Sequence, residues 1–251
     1  MGEDAAKSIL VERVLLSIRR RGVFLGPVIV LTDAPFARYD SLTSVDPNLI
    51  LLHPLAKDWR WELERDMPYK RFKTYILEYL HLDDRLESVE LVYYLDIDVV
   101  VGQPLQDWFD HVESTYVLDE HGRYPSKIVF FKGNGRPVQG GQFVLERNSS
   151  QACLERWRYH IDAHPKVHKD QDALALMMKE QEDNNGSTAC HLTIMPQSPH
   201  LLFLKKRVMR QMRNSSQYYT LMHFQNTHHA VMIPEKIQKK FFTQLLMLSP
   251  E

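Results

Sequence analysis

The feature that most constrains this chain is the run Glu90-Leu91-Val92-Tyr93-Tyr94-Leu95, which stops on Asp96-Ile97-Asp98 and is followed by Val99-Val100-Val101. Apolar, β-branched and aromatic residues in a run of this length predict a buried strand. A core has no use for two carboxylates, and burying them unpaired would be costly. In open α/β sheets, ligands bind beyond the carboxyl ends of the strands. Two aspartates one residue apart at such an end can turn toward one ion. Mg²⁺ and Mn²⁺ take oxygens of this kind and share them with substrate phosphates. Taken alone, the pattern reads equally as a solvated turn after a strand.

Around this run the chain alternates strand and helix signals. Residues 4–21 predict an amphipathic helix, with Leu10, Val14 and Ile18 on one face, Val11 and Leu15 beside them, and Gly22 as its stop. Arg19, Arg20 and Arg21 suit the negative end of that helix. Pro27 to Thr32 and Leu49 to His53 predict strands, and residues 68–80 a helix. Further strands are expected at 128–132, 142–146, 192–195 and 219–224, and helices at 151–163, 171–180 and 235–246. The alternation argues for a layered α/β fold with a parallel sheet. The expected organisation is a single domain over residues 1–251.

Bulk properties exclude some classes of function. With 31 basic and 32 acidic side chains the net charge is -1, so there is no electrostatic footprint for nucleic acid or an anionic membrane. No run approaches the ~18–20 apolar residues that span a bilayer. Cys153 and Cys190 do not make a framework. They could bridge, but they read as free, buried packing thiols. Asn148-Ser149-Ser150, Asn185-Gly186-Ser187 and Asn214-Ser215-Ser216 are glycosylation sequons. They leave a secretory lumen open as a location.

With its surroundings, the stretch Tyr93 to Val101, ending at Pro104-Leu105, resembles the metal-binding strand of the glycogenin-like, family 8 glycosyltransferases. Four further stretches resemble that family in its own order: Arg71-Phe72-Lys73-Thr74, Gly140-Gly141-Gln142-Phe143-Val144, Asp170-Gln171-Asp172, and His223-Phe224. The resemblance implies an α/β, GT-A (Rossmann-like) mixed sheet flanked by helices. It divides the domain into a nucleotide-sugar half, about 8–135, and an acceptor-side half, about 136–251. It implies transfer of a sugar from a nucleotide-diphosphate donor, a UDP-sugar by preference, with retention and with Mn²⁺ (or Mg²⁺) as cofactor.

The same resemblance assigns roles. Asp96, Asp98 and His223 would be the metal ligands, with Asp96 shared between ion and ribose. Lys73 would reach the diphosphate or the sugar, and Gly140 and Gly141 would let backbone approach the donor sugar. Asp170 would accept hydrogen bonds from sugar hydroxyls, and Gln171 would face the anomeric carbon. His229 stands where the family has a phosphate-binding lysine, and Asn226 where it has a glycine. On the residues alone, Lys73 also reads as a solvated helix charge, Gly140-Gly141 as a turn or bulge, and Asp170 as a helix N-cap.

Family members begin with a strand ahead of the first helix, whereas here only residues 1–6 precede it. The expectation is therefore a sheet without its usual first strand, starting at Val28–Leu31. If an upstream signal anchor is missing, the location would be the Golgi lumen; otherwise it would be cytoplasmic. Two rival functions remain. One is a GT-A domain that binds without transfer. The other is a haloacid dehalogenase-type phosphatase, whose DxDx[TV] motif Asp96 to Val100 matches. Donor sugar and acceptor have no legible code.

Overall fold

A computed structural model describes residues 9–32, 34–53, 71–96, 99–115, 127–133, 136–163, 170–184, 189–195, 201–204 and 221–224. These cluster into two compact units. One takes its described residues from Met1–Leu51, Leu95–Asp110 and Gln197–Glu251, and the other from Leu52–Tyr94 and His111–Pro196.

The first unit is organised by helix α1 (Ile9–Arg20). Its apolar residues recur at helical spacing, and Val11, Val14, Leu15 and Ile18 are all buried. Val11 and Leu15 share a core with Ala34, Tyr39 and Leu49. Packed against it are Val28 and Val30 of β1 (Val28–Leu31), Leu42 of the short helix α2 (Asp40–Thr43) and Leu51 of β2 (Leu49–Leu52). β1 and β2 pair with each other. Ser17 is a polar residue on the buried face of α1. Its hydroxyl donates to Val14 O at 2.7 Å and accepts from Val101 N at 3.1 Å. That second bond ties the helix to β4 (Val99–Val101). β4 pairs antiparallel with β9 (Leu221–Phe224), and β9 pairs parallel with β8 (Leu201–Leu204).

Gly22 does follow the helix end, for a reason of space. A Cβ there would lie 2.5 Å from Ile18 O and 3.1 Å from the Leu105 side chain. The left-handed backbone falls one residue later, on exposed Val23 (φ 50°). Arg19 does not simply face the helix dipole. Its Nη1 donates to Phe24 O and Gly26 O, both at 2.7 Å, and its Nε to Asp46 at 2.7 Å.

The second unit holds the sheet β3-β6-β5-β7, formed by β3 (Leu91–Leu95), β6 (Gln139–Glu146), β5 (Lys127–Phe131) and β7 (His191–Met195). β5 runs antiparallel to β6 and parallel to β7, so the sheet is mixed, not parallel throughout. Every residue of β6 is buried. Tyr94 stacks on Phe143 of this strand at 4.7 Å between ring centroids. Phe130, Phe143 and Trp157 pack together at 5.3 to 5.6 Å, in aromatic geometries that add to simple burial. Trp157 comes from the helix Gln151–Ala163, which matches the expected bounds.

Other expectations need adjusting. The stretch expected as one helix over 68–80 is, in its described part, a 3₁₀ turn Phe72–Tyr75 followed by an α-helical turn Ile76–Tyr79. Sequence reading missed the strand Val99–Val101, the strand Leu201–Leu204 and the helix Gln106–Glu113. The segment ahead of the first helix and the helix expected over 235–246 lie outside the described residues. The cysteines are not free: Cys153 and Cys190 form a disulfide, S–S 2.07 Å. The reason is tertiary. His191 pairs in register with Lys127, and Ser150 Oγ donates to Lys127 O at 2.8 Å. One strand start therefore carries both cysteine-bearing segments.

Candidate active site

Three of the stretches that carry the family resemblance meet in the second unit. Lys73 sits in the 3₁₀ turn, Gly140 in β6, and Asp170 opens the helix Asp170–Asp183. The Lys73 ammonium donates to Gly140 O at 2.8 Å and to Asp170 Oδ2 at 2.8 Å. It also lies 5.0 Å from the centroid of the Tyr94 ring, within reach of a cation–π contact. Lys73 and Asp170 are each only 3% exposed, so Lys73 is not a solvated surface charge. Gly140 is not a turn residue: it lies inside β6, where the register with β5 shifts between Phe130 and Phe131, so the bulge reading of the glycine pair holds. A Cβ there would come within 2.9 Å of Asp170 Oδ2 and 3.5 Å of Leu174. The absent side chain is what allows the carboxylate and the lysine to meet against the strand.

Asp170 is held from several directions. Its Oδ1 accepts from Gln171 N at 3.0 Å, and its backbone carbonyl accepts from Trp157 Nε1 at 3.2 Å. Gln171 is fixed in turn, because its Nε2 donates to Gln139 Oε1 at 2.7 Å. Gly141 is buried beside Gly140. The turn that carries Lys73 is clamped by the helix Gln151–Ala163. From that helix, the Arg158 guanidinium stacks 3.5 Å from the Tyr75 ring centroid and donates to Thr74 O at 2.8 Å. Arg71 pairs with Asp162 at 2.7 Å. Sequence reading named Lys73, Gly140, Gly141, Asp170 and Gln171, but not Gln139, Tyr94, Trp157 or Arg158. Gln139 carried a usable signal, as a polar residue entering a strand just before two glycines. Arg158 carried none.

The residues that the family resemblance offers as metal ligands belong to the first unit. Asp96 is half-buried, and its carbonyl accepts from Val99 N at 2.9 Å. Antiparallel pairing puts His223 directly opposite Val99, with Met222 opposite Val100 and Leu221 opposite Val101. Facing residues in such a ladder have Cα atoms about 4.5–5.5 Å apart. The register therefore brings the backbone of His223 beside the residue that follows Asp98, across more than a hundred residues of chain. Asp98, the His223 side chain and His229 lie outside the described residues. The described side chains include no group of three His, Cys, Asp or Glu placed to hold an ion. As a donor set, two carboxylates and an imidazole suit a hard or borderline divalent cation.

No protein-family model matches this chain. No curated protein matches it in sequence either. Solved structures do match. The galactosyltransferase LgtC, in complex with donor and acceptor sugar analogs, superposes with a TM-score of 0.62 at 12% identity, covering 100% of this chain and 96% of that one. This chain has the GT-A glycosyltransferase fold. Mouse xyloside xylosyltransferase 1, in its apo form, gives a TM-score of 0.53 at 10% identity, with coverages of 90% and 96%. The bifunctional glycosyltransferase WbbM gives 0.54 at 13% identity, covering 98% of this chain and 50% of its own. The mixed α/β architecture implied by the sequence resemblance is the one these structures share with the chain. Among the described residues no helix is long and apolar enough to cross a membrane.

Proposed function

We propose that this chain is a metal-dependent glycosyltransferase that takes a nucleotide-diphosphate sugar, by preference a UDP-sugar, and transfers the sugar with retention. One observation carries the reading. The Lys73 ammonium bridges Gly140 O and Asp170 Oδ2, joining three stretches that the family resemblance had picked out separately. The fold likeness supports the same class and favours it over the phosphatase alternative.

Asp96, Asp98 and His223 would hold Mn²⁺ or Mg²⁺. Such an ion, when bound, is a Lewis acid that offsets the charge on a departing nucleoside diphosphate. The protein groups do the rest. Lys73 holds a positive charge among oxygen acceptors, where a developing anion or a sugar hydroxyl gains most from it. Asp170 is fixed through its backbone carbonyl and Oδ1, so Oδ2 can accept from a sugar hydroxyl in place of, or together with, Lys73. Gln139 occupies the Gln171 amide nitrogen, which presents Gln171 Oε1 as the acceptor turned to the anomeric carbon. An amide is a poor nucleophile, so Gln171 stabilises positive charge there and forms no bond to the sugar. His229, in the place of the family's lysine, can donate to a phosphate, but it carries a positive charge only near or below neutral pH.

Calorimetric titration of UDP and UDP-sugars, with and without Mn²⁺, tests the proposal. Mn²⁺-dependent binding that is lost in Asp98→Ala, together with slow donor hydrolysis, is the expected result. Failure of every nucleotide to bind, with or without metal, would overturn it. Asn226 and His229, which replace the family's glycine and lysine, favour a second reading: a GT-A domain that binds donor but does not transfer. Tight binding with no turnover toward water or any sugar acceptor would select that reading.

A further inference from the structure

We propose that Asn148 carries an N-linked oligosaccharide, and that the chain folds in the oxidising lumen where such glycans are added. Asn148 lies in the exposed turn between β6 and the helix Gln151–Ala163. The turn is held at both ends. Before it, Arg147 N donates to Glu90 O at 2.8 Å, and the Arg147 guanidinium donates to Leu86 O at 2.9 Å and Glu87 O at 2.6 Å. After it, Ser150 Oγ donates to Lys127 O at 2.8 Å and accepts from Glu146 N at 3.0 Å. Among the described residues the acceptor atom, Asn148 Nδ2, makes a single bond, to Glu146 Oε1 at 3.2 Å. An amide nitrogen that has taken a sugar keeps one N–H, so it can still donate to Glu146. The glycan would leave from the solvent side of a fixed turn and displace nothing in the core.

The sequon's hydroxyl has the opposite fate. Ser150 is 0% exposed and both of its hydrogen bonds are internal, so a transferase cannot read it in the folded chain. Modification must therefore precede folding of this turn, as the chain enters the lumen. In the reaction, Asn148 Nδ2 attacks C1 of an oligosaccharide held on a polyprenol diphosphate. The C1–N bond forms, the C1–O bond to the diphosphate breaks, and the amide nitrogen loses one proton.

An independent feature points to the same compartment. Cys153, three residues past Ser150, is bonded to Cys190. Disulfides persist in secretory lumens and are rare in the cytosol of mesophiles, and Asn-X-Ser modification belongs to the same lumens.

The test is peptide mapping of the tagged full-length protein from cells of the organism that makes it. Thiols are blocked before reduction, and half the sample is treated with peptide N-glycosidase. We expect the Asn148 peptide to appear only after the glycosidase, with Asn148 converted to Asp. We also expect Cys153 and Cys190 to resist blocking, and the corresponding peptide of the Asn148→Gln variant to appear without the glycosidase, in a protein that melts at the wild-type temperature. An unmodified Asn148 peptide from the untreated wild-type protein overturns the assignment of the site. Full blocking of both cysteines without reduction overturns the compartment.

Discussion

Replacing Lys73 with methionine isolates the central contact of the candidate site. The change keeps most of the side-chain volume and its packing on Tyr94, but removes the ammonium. Asp170 Oδ2 and Gly140 O then each lose a donor at 2.8 Å, in a place where the Lys73 and Asp170 side chains are 4% and 5% exposed. An exposed ion pair is worth at most about 1 kcal/mol, whereas removing one member of a buried pair strands a charge and costs about 3–5 kcal/mol. The expected loss for Lys73→Met is therefore about 3–5 kcal/mol, read as a fall in the urea midpoint at unchanged slope. Adding Asp170→Asn removes the carboxylate's charge while keeping the hydrogen-bond acceptor for Gln171 N. The double variant should thus regain a large part of the loss. Two results would refute the reasoning: a single variant within about 1 kcal/mol of wild type, as for an exposed pair, or a double variant less stable than the sum of the two single changes.

Gly140→Ala should cost about 1–3 kcal/mol, because the new methyl would sit 2.9 Å from Asp170 Oδ2; thermal unfolding of this variant beside Gly141→Ala measures it. Removing the disulfide by Cys153→Ala with Cys190→Ala frees a loop with a sequence separation of 37 and should lower stability by about 3–4 kcal/mol on the chain-entropy account; denaturant titration in oxidising buffer checks it, and no loss would argue against the bridge. Glu180 has its carboxyl held below the ordinary range by hydrogen bonds from Arg156 and then from His160. A carboxyl whose folded pKa is depressed contributes stability above its unfolded pKa and loses it as pH falls through the folded value. Glu180→Gln should therefore be less stable than wild type near neutrality, and the gap should close in acid; a pH series of unfolding midpoints that keeps a constant gap would contradict this.

What could be read ahead of the structure divides along a physical line. Periodicity is local, so the buried face of the first helix and the strand before Asp96 were visible as patterns in single stretches. The three valines after Asp98 were too short a run to separate from a flank. Their strand exists because β9, far away in sequence, pairs with it, and because Val101 N donates to the Ser17 hydroxyl oxygen. The disulfide was hidden in the same way. Nothing near Cys153 or Cys190 announces the other, and the two approach only because β5 receives both β7 and the start of the helix Gln151–Ala163. The candidate site sits between these cases. A helix lysine, a glycine pair and a helix-opening aspartate each have an ordinary explanation. Their order along the chain was a claim about convergence, and convergence is a tertiary property that no single stretch carries. The ordinary readings make a different prediction from the functional one: a solvated lysine, a turn glycine and a capping aspartate need not touch. Here one ammonium contacts the other two residues, and the glycine's missing Cβ is what leaves room for the contact. Such a juxtaposition is costly to bury and serves no packing purpose that an apolar trio would not serve as well. That cost supports the proposal that the trio belongs to a site.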